Sequence, residues 1–155
     1  MTYKFIKQFE FEFWSNSTIL DAFKIIENLD SKPLNLFSHL LSSHSMWLSR
    51  LNHKHFTCTL FQERTIEECE ILMQENLEGW QQYLNSKSGA DLEQSIEFMA
   101  AWEAIPSRRK MIIEDALTHI INHSSYHRGQ IVSLIKGKID ALPQSTYIIY
   151  ASEII

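Results

Sequence analysis

The chain has 155 residues, of which 45% are hydrophobic and 21% are charged, and its net charge is −5. This length fits one globular domain over residues 1–155. The basic residues form no run, so the positive surface that a phosphate backbone requires is missing, and we expect no nucleic-acid partner. No stretch approaches the ~20 apolar residues of a membrane helix, so no membrane association is expected. Only four glycines and three prolines are present, which favours long helices over many short strands.

Two further features indicate a cytoplasmic protein. The N-terminal residues MTYKFIKQFEFEFW carry acidic residues within their apolar stretch and lack a cleavage-type pattern, so they do not form a signal peptide. Cys58 and Cys69 are too few for a disulfide framework or a cysteine-based zinc site. We therefore expect both to be reduced thiols.

The first half of the chain predicts two long helices. The first runs from about residue 3 to 29 and the second from about 34 to 51, with Pro33 suited to a helix's first turn. Apolar residues of the first segment recur at spacings of three, four and seven, which places them on one helix face: Phe5, Phe9, Phe13, Leu20 and Phe23.

The middle of the chain predicts a loop and a third helix. Residues 52–64 show no clear period, so we expect a loop there. Thr65 and Glu68 have the spacing of a capping box, and the apolar period then continues to about Asn85. Residues 91–108 are ambiguous: their alternating apolar residues fit a short strand pair or an extended excursion.

The last long helix is predicted from about residue 107 to 135, ending at the glycine cap Gly137. The tail beyond it is too short for another long helix and is expected to pack back over the others. The pattern as a whole predicts an all-α fold, a four-helix bundle with an irregular segment before the last long helix.

Three histidines on the fourth helix, His119, His123 and His127, recur every four residues. Each step of four rotates the side chain by only about 40° and climbs about 6 Å, so neighbours in the series share one face. An i,i+4 pair of imidazoles can therefore hold one metal ion. Taken alone, a histidine on an apolar helix face more often hydrogen-bonds a backbone carbonyl. The spacing thus leaves a structural interpretation open.

A third ligand should come from a facing helix, because metal sites in bundles are built from inward-projecting side chains. His39 and His44 both lie on the second helix. They are five residues apart, so they point in different directions and cannot easily chelate together. Either one can supply the ligand.

The stretch from His119 to Ile131, HIINHSSYHRGQI, resembles a signature of the DinB-like family of four-helix-bundle metalloproteins. Two shorter pieces agree in order: FWSN at residues 13–16 is similar to an aromatic-Trp-Ala-Asn patch of the first helix, with Ser15 in place of alanine. Residues 38–51 resemble the second-helix segment that gives the first ligand. The resemblance spans roughly residues 3 to 137.

This resemblance implies a ligand set of His39, His123 and His127, with nickel or zinc as the expected divalent metal. We assign further residues to the pocket or to support of the ligands, namely His119, Asn122, Gln130, Trp14 and Trp47. Phe13 and Trp102 are expected to line the same cavity. His44 remains the alternative to His39.

Three histidines leave a coordination position open, which is typical of a catalytic metal. The resemblance implies metal-dependent thiol transfer of the bacillithiol or mycothiol kind, or a related hydrolysis, with a small-molecule thiol or electrophile as partner. The alternative is a non-catalytic metal- or small-molecule-binding protein of the stress response. Catalytic residues beyond the ligands are not assigned, since Glu103, Glu114 and Asp115 are candidates for a general base only by proximity. Exposed aromatic residues near the N-terminus favour a homodimer.

Overall fold

A computed structural model describes residues 2–57, 59–100 and 105–154 of the chain. Three residues considered above, Cys58, Trp102 and Glu103, lie outside these ranges. Within them are six helices and two strands, in the order α1 (Thr2–Ile25), α2 (Ser31–Leu51), α3 (Ile66–Asn85), α4 (Gly89–Leu92), β1 (Ser95–Ala100), β2 (Ser107–Ile112), α5 (Ile113–Ile135) and α6 (Tyr147–Ala151). The expectation of a mainly helical chain is confirmed.

The four long helices pack side by side: α2 contacts α3 and α5, and α1 contacts the same two helices from the other side. Two groups of buried apolar residues fill the space between them. One surrounds Phe9, Trp47 and Trp80, and the other surrounds Phe23 and Leu40. None of the helices in the described part of the chain combines the length and the apolar character that a bilayer crossing requires.

Local signals in the sequence account for three of the helix ends. Thr65 is the N-cap of α3, and Glu68 completes the predicted capping box. Pro33 lies in the first turn of α2, where its missing N–H leaves no hydrogen bond unmade. Gly137 follows α5 with φ of 85°, the left-handed conformation that glycine adopts without strain.

Residues 95–100 and 107–112 form a short strand pair, which is one of the two alternatives predicted for residues 91–108. These residues are therefore regular, which corrects the expectation of an irregular segment. β1 and β2 form an antiparallel pair in which Ile96 lies opposite Met111 and Phe98 opposite Arg109. The last long helix therefore begins at Ile113 and not near residue 107. The strand ladder satisfies the backbone of residues 107–112, and the pairing buries Ile96, so sheet formation prevails over helix extension there.

The C-terminal segment returns to α1, as predicted for the tail. Ser15 donates a hydrogen bond to the Ser145 carbonyl, at 3.4 Å. The ring of Tyr147 lies 5.1 Å from that of Phe11, and the ring of Tyr150 lies 5.5 Å from that of Trp14. Aromatic residues near the N-terminus that were expected to pair two first helices are thus partly covered by the chain's own α6.

Candidate metal centre

Antiparallel packing of α2 against α5 brings three of the predicted residues together. His39 on α2 meets His123 and His127 on α5, and one side-chain nitrogen from each lies within 4.8 Å of the others. His39 is buried and the two α5 histidines are partly buried. The i,i+4 spacing therefore places both α5 imidazoles on the face of the helix that α2 covers.

The orientation of the His39 ring is fixed by the loop that follows α2. Its Nδ1 lies 3.0 Å from the carbonyl oxygen of Leu60. A carbonyl only accepts, so this nitrogen carries the proton, and Nε2 keeps a free lone pair. The ring of Phe61 stacks on His39 at 4.2 Å. Arg64 holds the loop to α2 by donating to the hydroxyls of Ser38 and Ser42, at 2.8 and 2.7 Å.

His127 is oriented in the same manner by a residue on its own helix. Its Nδ1 lies 2.8 Å from Oε1 of Gln130, one turn along α5. The amide oxygen accepts the Nδ1 proton, which leaves Nε2 of His127 with its lone pair. A ring nitrogen bound to an oxygen acceptor is the arrangement that metal-ligating histidines commonly show.

The spacing of the two α5 imidazoles fits a shared ion. Nε2 of His127 lies 3.1 Å from Nε2 of His123. Two nitrogens at ~2.0–2.1 Å from one metal, at tetrahedral to octahedral angles, lie about 2.9–3.4 Å apart. A donor set of three imidazoles suits zinc, nickel, copper or iron(II) and does not suit calcium or magnesium. The residues present therefore fit a transition-metal ion.

The surroundings favour the neutral form of His39 and His123, which is the form that binds a metal. Burial lowers the pKa of His123 to about 3, with the neighbouring His127 and His39 adding to the effect. Burial likewise lowers the pKa of His39. Since neither ring needs to lose a proton near neutral pH, no proton has to be displaced when a cation enters.

His44 has a different environment, which separates it from His39. Its Nε2 lies 2.7 Å from the Ser124 hydroxyl and 3.6 Å from a carboxylate oxygen of Glu12. The side chain is buried between α1, α2 and α5, and it is not part of the three-histidine group. The geometry therefore favours His39 as the residue of α2 that completes the group.

Only some of the other residues predicted to line the pocket lie near the three histidines. His119 is exposed one turn before His123, with ring centroids 5.7 Å apart, and the ring of Trp47 lies 5.5 Å from it on α2. Asn122 is exposed, and no hydrogen bond from its side chain reaches a described residue. Trp14 packs against α6, as described above, so the structure does not bring it to the histidines.

A buried ion pair beside the site was not anticipated from the sequence. Arg128 donates from its two terminal nitrogens to the two carboxylate oxygens of Glu12, at 2.7 Å each. It also donates to Asn16, at 3.2 Å. Burial raises the pKa of the Glu12 carboxyl, but the hydrogen bonds of Arg128 and the nearby His44 outweigh it and hold the pKa below its ordinary value of 4.5.

One sequence signal could have revealed this pair. Glu12 occupies the apolar face of α1, seven residues after Phe5 and three after Phe9, and only 1% of it is exposed. A carboxylate on such a face needs a buried cation, and Arg128 lies within the motif that already singled out His127. Asn16, from the patch at residues 13–16, thus accepts a hydrogen bond from Arg128.

The DinB family profile matches residues 2–149 of the chain, which includes α1 to α5 and all residues of the site. A search among curated proteins found none that matches this sequence.

Proposed function

Because the chain belongs to the DinB family, we propose that it is a metal-dependent enzyme in which His39, His123 and His127 bind nickel or zinc. We propose further that the four long helices form a bundle of the DinB-like type. The observation that carries the proposal is the convergence of three imidazole nitrogens within 4.8 Å of one another. In His39 and His127, Nδ1 donates its proton to an oxygen acceptor, so Nε2 keeps its lone pair.

A bound divalent ion of this kind brings the pKa of a water or a thiol close to neutral, so that the deprotonated nucleophile forms at physiological pH. The protein's part is to hold the ligands. Leu60 and Gln130 fix the rings of His39 and His127, and Phe61 covers one face of His39. Three protein ligands leave a position for the substrate.

The donor set of the site supports a thiol over water as the nucleophile. Among the described residues, the group of possible ligands contains histidines alone. Glu12 is occupied by Arg128, and Glu114 lies nine residues, about 13 Å, before His123 along α5. Hydrolysis profits from a general base, whereas a thiol once deprotonated is a strong nucleophile by itself.

We therefore propose a thiol S-transferase that acts in the cytoplasm on a small-molecule thiol and an electrophile. The sulfur forms a bond to the electrophilic carbon, the leaving group departs with the bonding electrons, and the thiol proton passes to solvent. A hydrolase working on the same site is the closest variant of this proposal. A homodimer also stays a prediction, for which the exposed Tyr3 and Ile148 offer apolar surface.

The test is a rate measurement with and without metal. Protein freed of metal is loaded with nickel or zinc, and the consumption of cysteine, coenzyme A or bacillithiol is followed with 1-chloro-2,4-dinitrobenzene as electrophile. We expect a rate that requires the metal and is lost in His123→Ala. The matched control is His55→Ala, which removes an exposed loop histidine and should leave the rate unchanged.

A protein that binds the metal yet shows no metal-dependent rate with any of these thiols would contradict the transferase. That result would support the second candidate, a non-catalytic metal-binding protein of the stress response.

A further inference from the structure

Two aromatic rings lie against the three-histidine group and are largely open to solvent. Phe61, in the loop between α2 and α3, stacks on His39 with ring centroids 4.2 Å apart and an angle of 5° between the planes. Tyr126, on α5, lies 5.2 Å from the His127 ring at an angle of 69°. Phe61 is 74% exposed and Tyr126 is 64% exposed. We call these two residues the aromatic rim of the group.

The position of Phe61 is set by hydrogen bonds on both sides of it in the chain. The Leu60 carbonyl accepts the proton of His39 Nδ1, and the Gln62 carbonyl accepts a hydrogen bond from the Ser38 hydroxyl. Both donors are buried side chains of α2. The loop therefore holds the phenyl ring against the histidine, although an apolar side chain of this size gains free energy when it leaves water.

The exposed face of Phe61 determines which kind of molecule it attracts. In a parallel stack each ring uses one face, so the face of Phe61 that is turned away from His39 remains in contact with solvent. The face of a phenyl ring carries partial negative charge, and it favours an offset stack with a second ring over contact with a saturated body of similar size. Tyr126 offers a ring of the same character beside His127. The rim thus favours a planar, electron-poor aromatic molecule.

An open cleft of about 810 Å³ adjoins the rim at Tyr126, and Gly129 and Gln130 also line it. Gln130 accepts the proton of His127 Nδ1, so the cleft reaches the histidine group. Gly129 leaves the cleft unobstructed, because a Cβ at this position would meet no atom within 4 Å. The rim therefore has room beside it for the parts of a ligand that do not contact the two rings.

We propose that the aromatic rim binds the electrophile and that this substrate is an electron-poor aromatic compound. Because Phe61 and Tyr126 contact two different histidines of the group, a molecule bound on them lies next to the site of the thiol. Its assignment as a substrate rests on the function proposed above, whereas its binding to the rim does not. Phe61 and Tyr126 are then residues that determine specificity, and neither takes a proton or an electron.

The experiment compares nitrobenzene with nitrocyclohexane, which share the nitro group and a six-carbon ring and differ in aromaticity. Nuclear magnetic resonance titration of the isotope-labelled, metal-free protein measures both affinities. We expect nitrobenzene to bind about fivefold more tightly, as stacking on an aromatic side chain predicts. The backbone resonances that shift should include those of Phe61 and Tyr126.

Three variants show whether the rim causes this preference. Phe61→Leu and Tyr126→Leu keep an apolar side chain and remove the aromatic ring, so each should lower the preference for nitrobenzene about twofold or more. Tyr3→Leu is the matched control, because it removes an aromatic ring of α1 that is 77% exposed, and it should retain the preference. All three side chains are exposed, so their substitution leaves the core intact.

Equal affinities of the unchanged protein for the two probes would overturn the proposal. It would also be overturned by an unchanged preference in Phe61→Leu or by an equal loss in Tyr3→Leu. This proposal and the proposed function fail separately, because these titrations contain no metal. A preference for nitrobenzene without any zinc binding would preserve the rim and refute the metal centre, and zinc binding without the preference would do the reverse.

Discussion

His127 and Arg128 are neighbours on α5, yet their side chains enter two different polar environments. His127 joins a group of three imidazoles, and its Nε2 lies 3.1 Å from Nε2 of His123. Arg128, only 2% exposed, joins an ion pair in which both carboxylate oxygens of Glu12 are bound. The histidine group has nitrogen lone pairs that no described hydrogen donor occupies, whereas the charges of Glu12 and Arg128 neutralise each other. The histidines can therefore accept a ligand, whereas the ion pair is already complete within the fold.

Breaking the Glu12–Arg128 ion pair is expected to have the largest effect on stability. Glu12→Gln keeps the size of the side chain but leaves the buried charge of Arg128 without its counter-ion, so we expect a loss of about 3–5 kcal/mol in the free energy of unfolding. Urea denaturation followed by circular dichroism measures it. Lys24→Gln, which breaks the exposed pair with Glu70, is the control and should change little. Similar effects of the two substitutions would show that the buried pair has no special structural role.

The second-largest effect is expected from removing the hydrogen bond that orients His127. Gln130→Ala removes the acceptor that orients His127, and we expect zinc affinity to fall about tenfold, as is common when a partner of a metal-bound histidine is lost. Stability should change far less than in Glu12→Gln. Asn122→Ala is the matched control, because its amide lies on the same helix but is exposed. An equal loss of affinity in both variants would contradict the role given to Gln130.

The histidine side of this contrast could be predicted from the sequence, because it depends on spacing within one helix. The four-residue period of His119, His123 and His127 fixes their common face whatever packs against it. The capping box at Thr65 is equally local. The choice between His39 and His44 was not local, since it depends on which neighbours each meets. Only the packing shows His44 beside Ser124 and Glu12.

The hairpin and the ion pair were harder to predict for the same reason. Residues 107–112 favour a strand only because residues 95–100 pair with them, and a single-segment pattern cannot show this partner. Glu12 and Arg128 are separated by 116 residues. Their attraction becomes visible in the sequence only if a carboxylate on an apolar helix face is taken as a sign of a distant cation.

Calorimetric titration of the metal-free protein with zinc shows whether His39, His123 and His127 bind one metal ion. We predict one ion per chain in the unchanged protein, no binding in His39→Ala or His123→Ala, and full binding in His119→Ala, which removes an exposed histidine of the same helix. Undiminished zinc binding in His39→Ala, or its loss in His119→Ala, would contradict the assignment.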